Sequence, residues 1–227
     1  MFKAIQLADS HVKNLKYHSE YRQIFDQIFS ILKQENPDLI VHCGDLCHSK
    51  TQISPEYVSL ASYFLKNLAD IAPTRIILGN HDLGLRNLSR LDSISPLVDN
   101  LNHPNLKLYK KSGEYPFNDL ATLNVMSIFD PDNWISIPSQ PEKINIALYH
   151  GSIDGCETDL GWKMTNADRN LSIFKNYDYA FCGDIHKSNQ VLDIKGKIRY
   201  CGSTIQQNFG ETNDKGFLIW EIEDKNN

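Results

Sequence analysis

The chain has 227 residues, 41% of them apolar and 10% aromatic, with a formal charge of −5 at pH 7. That size buries one sizeable core in a single large domain, no apolar run approaches the roughly 20 residues that span a bilayer, and the acidic balance supplies no chain-wide basic signature for nucleic acid. Five cysteines (Cys43, Cys47, Cys156, Cys182, Cys201), odd in number and lacking C-x-x-C spacing, argue against a zinc knuckle or a disulfide framework and for a reducing cytoplasm.

In chain order, residues 2–8 predict a strand that ends at Asp9, with no signal-peptide build before it. From 19 to 35, Tyr21, Ile24, Phe25, Ile28, Ile31 and Leu32 recur at helical spacing; Pro37 stops the helix and 38–43 reads as a short buried strand. Ser54-Pro55-Glu56 starts a second helix, with Pro in its first turn, that runs to about 70, and 74–78 is a third buried strand. Strand, helix, strand, helix, strand is the pattern of βαβ units on a parallel sheet. A helix is expected over 88–101, then strands over 106–109, 121–129, 144–149, 177–182, 190–194, 197–201 and 216–222, with Lys195-Gly196 as a tight turn. Only 159–174 leaves room for another helix. No repeat or linker divides the chain, so the expectation is one domain over 1–227, two packed sheets flanked by helices.

Five short segments share one chemical vocabulary: Asp9-Ser10-His11, Gly44-Asp45, Gly79-Asn80-His81-Asp82, His150-Gly151 and Gly183-Asp184-Ile185-His186. Four of them directly follow an apolar, strand-like run. The period-two geometry of extended chain sets Asp9 with His11, and Asp184 with His186, on common sides. Taken singly, a Gly-Asp is a turn and a lone His a satisfied polar residue. Taken together, the donors sit past the C-terminal ends of strands, where α/β sheets gather their ligand crevices. Carboxylate, imidazole and amide groups suit divalent metals, and seven such donors suffice for two ions if one carboxylate bridges. His81 is left free to act on substrate, with Asp82 expected to accept a hydrogen bond from its imidazole.

In this order the segments resemble the calcineurin-like metallophosphoesterase superfamily. Gly44-Asp45-Leu46-Cys47-His48, Tyr200-Cys201-Gly202-Ser203, Phe209-Gly210-Glu211 and Lys215-Gly216-Phe217 are similar to the SbcD and meiotic-recombination-eleven DNA repair nucleases. The resemblance implies an α/β fold, a four-layered α-β-β-α sandwich, and Mn(II) as the working metal. It places one ion on Asp9, His11, Asp45 and His186, and the other on Asp45, Asn80, His150 and Asp184. In the hydrolysis expected of such a pair, His81, supported by Asp82, donates a proton to the leaving oxygen or stabilises its charge, and His48 is either a residue that places the phosphate or an exposed loop histidine. The family usually has His where this chain has Asp184, which therefore either ligates with an added charge or lies behind the ligands. Family nucleases continue into a DNA-capping domain and a segment that docks an SbcC-like ATPase, neither of which is found in these 227 residues. They pair as homodimers through helices that correspond here to 54–70 and 88–101.

The expected activity is thus metal-dependent phosphodiester hydrolysis, on DNA in repair or recombination. The alternatives are a phosphatase or phosphodiesterase of small molecules, which the acidic charge favours, and a binding module disabled at Asp184. Lys13, Lys16, Arg86, Arg90, Arg169 and Lys187 lie near the motif loops as candidate DNA contacts. Trp134 and Trp162 are either base-stacking or packing residues.

Overall fold

The computed structural model describes residues 2–86, 88–167 and 169–225. The first half of the chain builds one sheet. Strands β1 (Phe2–Leu7), β2 (Leu39–His42), β3 (Thr74–Ile77) and β4 (Leu106–Tyr109) run parallel, and the last strand, β11 (Leu218–Ile222), closes the edge antiparallel to β1, giving the order β11-β1-β2-β3-β4. The second half builds the other sheet from β5 (Gly113–Pro116), β6 (Ala121–Met126), β7 (Ile144–His150), β8 (Tyr179–Gly183), β9 (Gln190–Val191) and β10 (Ile198–Tyr200), in the order β5-β6-β7-β8-β10-β9. Here β6, β7, β8 and β10 are parallel and the two edge strands antiparallel. Two mixed sheets with helices against them match the expected α/β sandwich.

Alternation along β1 shows how the sheets pack. Phe2, Ala4 and Ala8 face the second sheet, where they join Leu39, Val41, Leu123, Val125, Leu148 and Phe181, while Ile5 and Leu7 face the helices. Among these inner positions Gln6 is polar and fully buried. Its amide donates to the Cys182 and Arg199 carbonyls (3.0 Å each) and accepts from Trp220 Nε1 at 2.9 Å, so both sheets are pinned where they are closest to the site.

Helices α1 (His18–Glu35) and α2 (Pro55–Ile71) cover the outer face of the first sheet, their apolar stripes meeting at Phe25 and Phe64, whose rings stack at 4.0 Å. Asn36 ends α1 in the left-handed region, its N–H on the Leu32 carbonyl, just before Pro37. Ser54 caps α2, accepting from the Tyr57 N–H at 3.2 Å. The other sheet's outer face is covered differently: the described residues of 151–167 and 169–178 fold over it mostly as loops that bury Ile153, Cys156 and Phe174, with a 3-10 turn at Leu171–Phe174.

Three expectations are corrected. The room for a helix over 159–174 is not used as one helix among the described residues: its first part belongs to a hairpin over 155–164, in which Gly155, Cys156, Thr158, Trp162 and Met164 pair across Gly161, whose φ of 77° reverses the chain, while residue 168 lies outside the described residues. The helix expected over 88–101 is α4 (Ser95–Leu101). The Asp92 carboxylate accepts the Ile94 and Ser95 N–H groups at 2.9 and 2.6 Å, and Pro96 lies in the first turn, so helix begins only there. Strand β6 ends at Met126, where Ser127 accepts from Asp130 N–H in a turn, and β5 was not anticipated.

Candidate metal centre

All the parallel strands of the first sheet end on one side of the molecule, beside the ends of β7 and β8. Packing the two sheets therefore brings Asp9, His11, Asp45 and Asn80 up against His150, Asp184 and His186. The approach is close enough to demand glycine. A Cβ on Gly79 would lie 2.1 Å from Asp45 Oδ1, and one on Gly44, already at φ 91°, would lie 2.5 Å from His150 Nδ1.

The backbone then aims each donor. Asp9 N–H donates to the Gly44 carbonyl (3.0 Å) and His11 N–H to the Asp45 carbonyl (2.9 Å), lacing the β1 end to the β2 end. The Asp184 N–H donates to both Asp9 oxygens, at 3.1 and 3.0 Å, joining the sheets. Asp9, His11, Asp45 and Asp184 all hold positive φ (51°, 43°, 56° and 98°), a costly conformation for residues with side chains that concentrates here.

The donor atoms converge on two points. Asp45 Oδ2 lies 3.6 Å from His11 Nε2 and 3.4 Å from His150 Nε2. On the first side His11 Nε2 meets His186 Nε2 at 3.0 Å. On the second, His150 Nε2 is 3.1 Å from Asn80 Oδ1 and 3.7 Å from Asp184 Oδ1. Asp9, His11 and His186 form one group with metal-ligand spacing, and Asp9, Asp45 and His150 another.

The donor set fits cations. His150 Nδ1 donates to the Cys43 carbonyl at 2.7 Å and His186 Nδ1 to Glu211 Oε1 at 2.8 Å, so both rings aim Nε2 inward, toward the other donors, where a cation would replace its proton. Burial pushes Asp9 up to about 7 and raises Asp184, because three carboxylates share a dry space. Burial also works to raise Asp45, but His150 and His11 outweigh it and hold Asp45 low; His150 in turn is raised by the carboxylates against its burial. His11, penalised by burial, is held well below its ordinary value. Among the described residues the ion-pair partners of Asp45 and Asp184 are imidazoles, with no Lys or Arg. Buried anions left without cations are what two divalent ions would neutralise.

The remaining expected residues divide. His81 sits exposed at the rim, its ring 4.7 Å from that of His11 and its N–H donated to Asp45 Oδ1 at 2.8 Å. His48 is beside it, the rings stacked at 5.9 Å. Asp82 does not support the His81 imidazole: His81 Nδ1 donates to the His48 carbonyl at 2.7 Å. Buried Asp82 instead accepts three backbone N–H groups, from Asp45 (2.9 Å), Cys47 (2.9 Å) and Gly79 (3.0 Å), fixing the loops after β2 and β3. The short helix α3 (Asn80–Leu83) starts at Asn80, so a carboxylate two residues on reaches back to the turn and away from its neighbour's ring. Of the candidate DNA contacts, Lys187 pairs with Glu157 at 2.6 Å and Arg169 lies over the Trp134 ring at 5.0 Å.

One functional residue was missed. Glu211 orients His186 and is itself held by Lys215 Nζ at 3.1 Å, which also pairs with Asp159 at 2.7 Å. Burial opposes its charge, but His186 and the Gln207 N–H bring Glu211 down to about 2. The only signal was Phe209-Gly210-Glu211 itself, which carries no metal-ligand spacing.

Comparison with known proteins gives the arrangement a family. A model of the calcineurin-like phosphoesterases matches residues 2–188. The uncharacterized protein R555 of Acanthamoeba polyphaga mimivirus is 40% identical over 234 residues, which cover 96% of this chain and 17% of that protein. The SbcD component of the nuclease SbcCD from Staphylococcus saprophyticus is 27% identical over 258 residues, 98% of this chain and 66% of that one. The chain thus spans less than two thirds of the length of either relative. The solved structure of the Pseudomonas putida nuclease MPE matches at 17% identity and a TM-score of 0.38, over 66% of this chain and 62% of its own. With the family match running from β1 past the last of the converging ligands, the chain belongs to the calcineurin-like phosphoesterases.

Proposed function

We propose that this chain is a DNA nuclease of repair or recombination that hydrolyses phosphodiester bonds with two divalent ions, Mn(II) being the usual metal of the nucleases it resembles. The observation that supports it most directly is Asp45, whose Oδ2 stands between His11 Nε2 and His150 Nε2 at 3.6 and 3.4 Å, where a carboxylate shared by two cations belongs. Asp9, His11, Asp45 and His186 would hold one ion; Asp45, Asn80, His150 and Asp184 the other. When bound, such a pair clamps a phosphate and makes water acidic enough to attack phosphorus.

The chain's own groups supply the rest. Asp184 fills the place where the family has His, its backbone fixed to Asp9 and its carboxylate on the second side. His81 donates a hydrogen bond from Nδ1–H to the His48 carbonyl, which sets the ring and leaves Nε2 to carry a proton to the leaving oxygen. His48, whose ring packs on both His11 and His81, lines a shallow ledge with Lys13 and Lys16, whose ammonium groups supply the charge on which a phosphate can rest.

An SbcC-like ATPase partner, a homodimer through the α2 and α4 side, and a cytoplasmic setting belong to the same reading. No described helix is long and apolar enough to cross a membrane.

The chain's charge of −5 favours the second reading, an esterase of small phosphodiesters or phosphomonoesters. Incubation with linear duplex DNA, single-stranded DNA and bis(p-nitrophenyl) phosphate in Mn(II) separates the two. Cleavage of DNA is expected. Turnover of the small ester alone would establish the second reading, and failure on all three despite bound metal would leave a binding module.

A further inference from the structure

Two cavities open onto the metal centre, and Asp184 lines both. The smaller, about 270 Å³, contains Trp134, whose surface is already engaged: Nε1 donates to the Ser127 carbonyl at 2.8 Å, Tyr149 meets the ring edge-on, and the Arg169 guanidinium lies over it. The larger, about 450 Å³, has Asp184 and His186 on its metal side and Leu160 and Trp162 on its outer side. These two apolar residues are 80% and 62% exposed.

Their exposure is enforced. Both belong to the hairpin folded across Gly161, in which Glu157 bridges to Lys163. That hairpin is tied down at Asp159, whose ion pair with Lys215 leaves each side chain only 5% exposed. Lys215 also binds Glu211 and the His186 carbonyl (2.9 Å), so the hairpin belongs to the same network that orients a metal ligand. A second tie runs from Glu157 to Lys187. Leu160 and Trp162 are therefore held out in water beside the reacting centre, and large apolar groups kept at a cleft mouth mark a ligand surface.

The chemistry of the walls narrows the ligand. A group entering this cavity hangs from whatever phosphate the metal side holds. Asp159, Asp184 and Glu211 line it, so a further phosphate would be repelled, whereas a neutral planar ring gains the indole face. We propose that this cavity is a base-binding subsite in which Trp162 stacks on the nucleobase next to the bound phosphate and Leu160 covers the ring's edge. The inference rests on the phosphodiesterase reading for the position of that phosphate.

Calorimetry on the Mn(II)-loaded chain with dAMP, 2-deoxyribose 5-phosphate and inorganic phosphate tests it. The wild type should bind dAMP about tenfold more tightly than the abasic sugar phosphate, the size of one base–aromatic stack. Trp162→Ala should erase that ratio, Trp162→Phe should keep part of it, and inorganic phosphate should bind all three proteins equally. No base preference in the wild type, or the full ratio in Trp162→Ala, overturns the subsite. A phosphorothioate-linked (dA)4 that binds more tightly than dAMP makes a nucleic acid chain the source of the base, and equal affinity makes it a free nucleotide; either supports the subsite. Base preference without DNA cleavage would sink the nuclease reading and leave the subsite standing, and cleavage without base preference would do the reverse.

Discussion

The two halves of the candidate metal centre are built by different means. On the first sheet, Asp9, His11, Asp45 and Asn80 are aimed by backbone: strand-end amides donate to neighbouring carbonyls, and one buried carboxylate, Asp82, gathers three N–H groups from two loops. On the second, His150 still rests on a backbone carbonyl, that of Cys43, but the His186 ring is aimed by side chains, through Glu211, Lys215 and Asp159. A backbone clamp is set by topology and tolerates most substitutions around it. A side-chain relay fails at any member, so the second half should be the adjustable one.

The largest effect should come where the halves meet. Asp45→Ala removes the carboxylate common to both sides, and both ions should be lost together; metal analysis of the purified variant should fall from two equivalents toward none, with hydrolysis undetectable. Retention of one tightly held ion would show that the halves bind independently.

His81 and Asp82 are adjacent in sequence and should fail differently. His81→Asn should cost roughly 10²–10⁴-fold in turnover, the range for a lost proton donor, with metal content and stability intact. Asp82→Ala leaves three buried N–H groups without their acceptor and should cost about 2–4 kcal/mol in urea unfolding. If Asp82→Ala instead lowers turnover with stability unchanged, its role lies with His81 after all.

The same division explains what the sequence made legible. Ligands at strand ends announce themselves, because a buried apolar run followed by Gly-Asp or Gly-Asn-His fixes both position and direction. α1 and α2 were equally plain, since each must show a stripe to the sheet it covers. Glu211 was opaque because its partner lies 25 residues away in sequence and their contact depends on how a loop closes. The hairpin at 155–164 hid for the related reason that the groups it buries, Cys156 and the Asp159 carboxylate on Lys215, follow no regular spacing, so no periodicity marks them. The Asp82 role was misread because one turn of helix, α3, swings its carboxylate away from the neighbouring imidazole.

Glu211→Gln probes the second half alone. The amide keeps the shape and loses the charge that holds the His186 ring and Lys215. Second-sphere carboxylates of this kind are worth 10–100-fold in metal affinity. One Mn(II) should weaken by about that factor in calorimetry while the ion on His150 and Asn80 binds as before. Equal weakening of both would mean that the relay supports the whole centre.

The smallest effect is a pH dependence that also separates the halves. Burial, chiefly, lifts Asp9 to about 7, whereas Glu211 is brought down to about 2. Between about pH 4 and 7 the metal-free fold therefore binds a proton at Asp9 that the unfolded chain lacks, and its stability should decline as pH rises through that window. A metal ion must displace that proton at pH 6 but not at pH 8. The Asp9 proton alone should make apparent affinity about tenfold weaker at the lower pH, one pKa unit's worth, with the raised imidazoles of His150 and His186 adding to the loss, and the rise in melting temperature on adding Mn(II) should be correspondingly smaller. Glu211 stays ionised at both, but it also raises His186, whose proton a metal must displace at the lower pH, so Glu211→Gln should lower affinity less at pH 6 than at pH 8. An equal loss at both pH values would mean that the relay acts on His186 through orientation alone and that proton competition belongs to the Asp9 side.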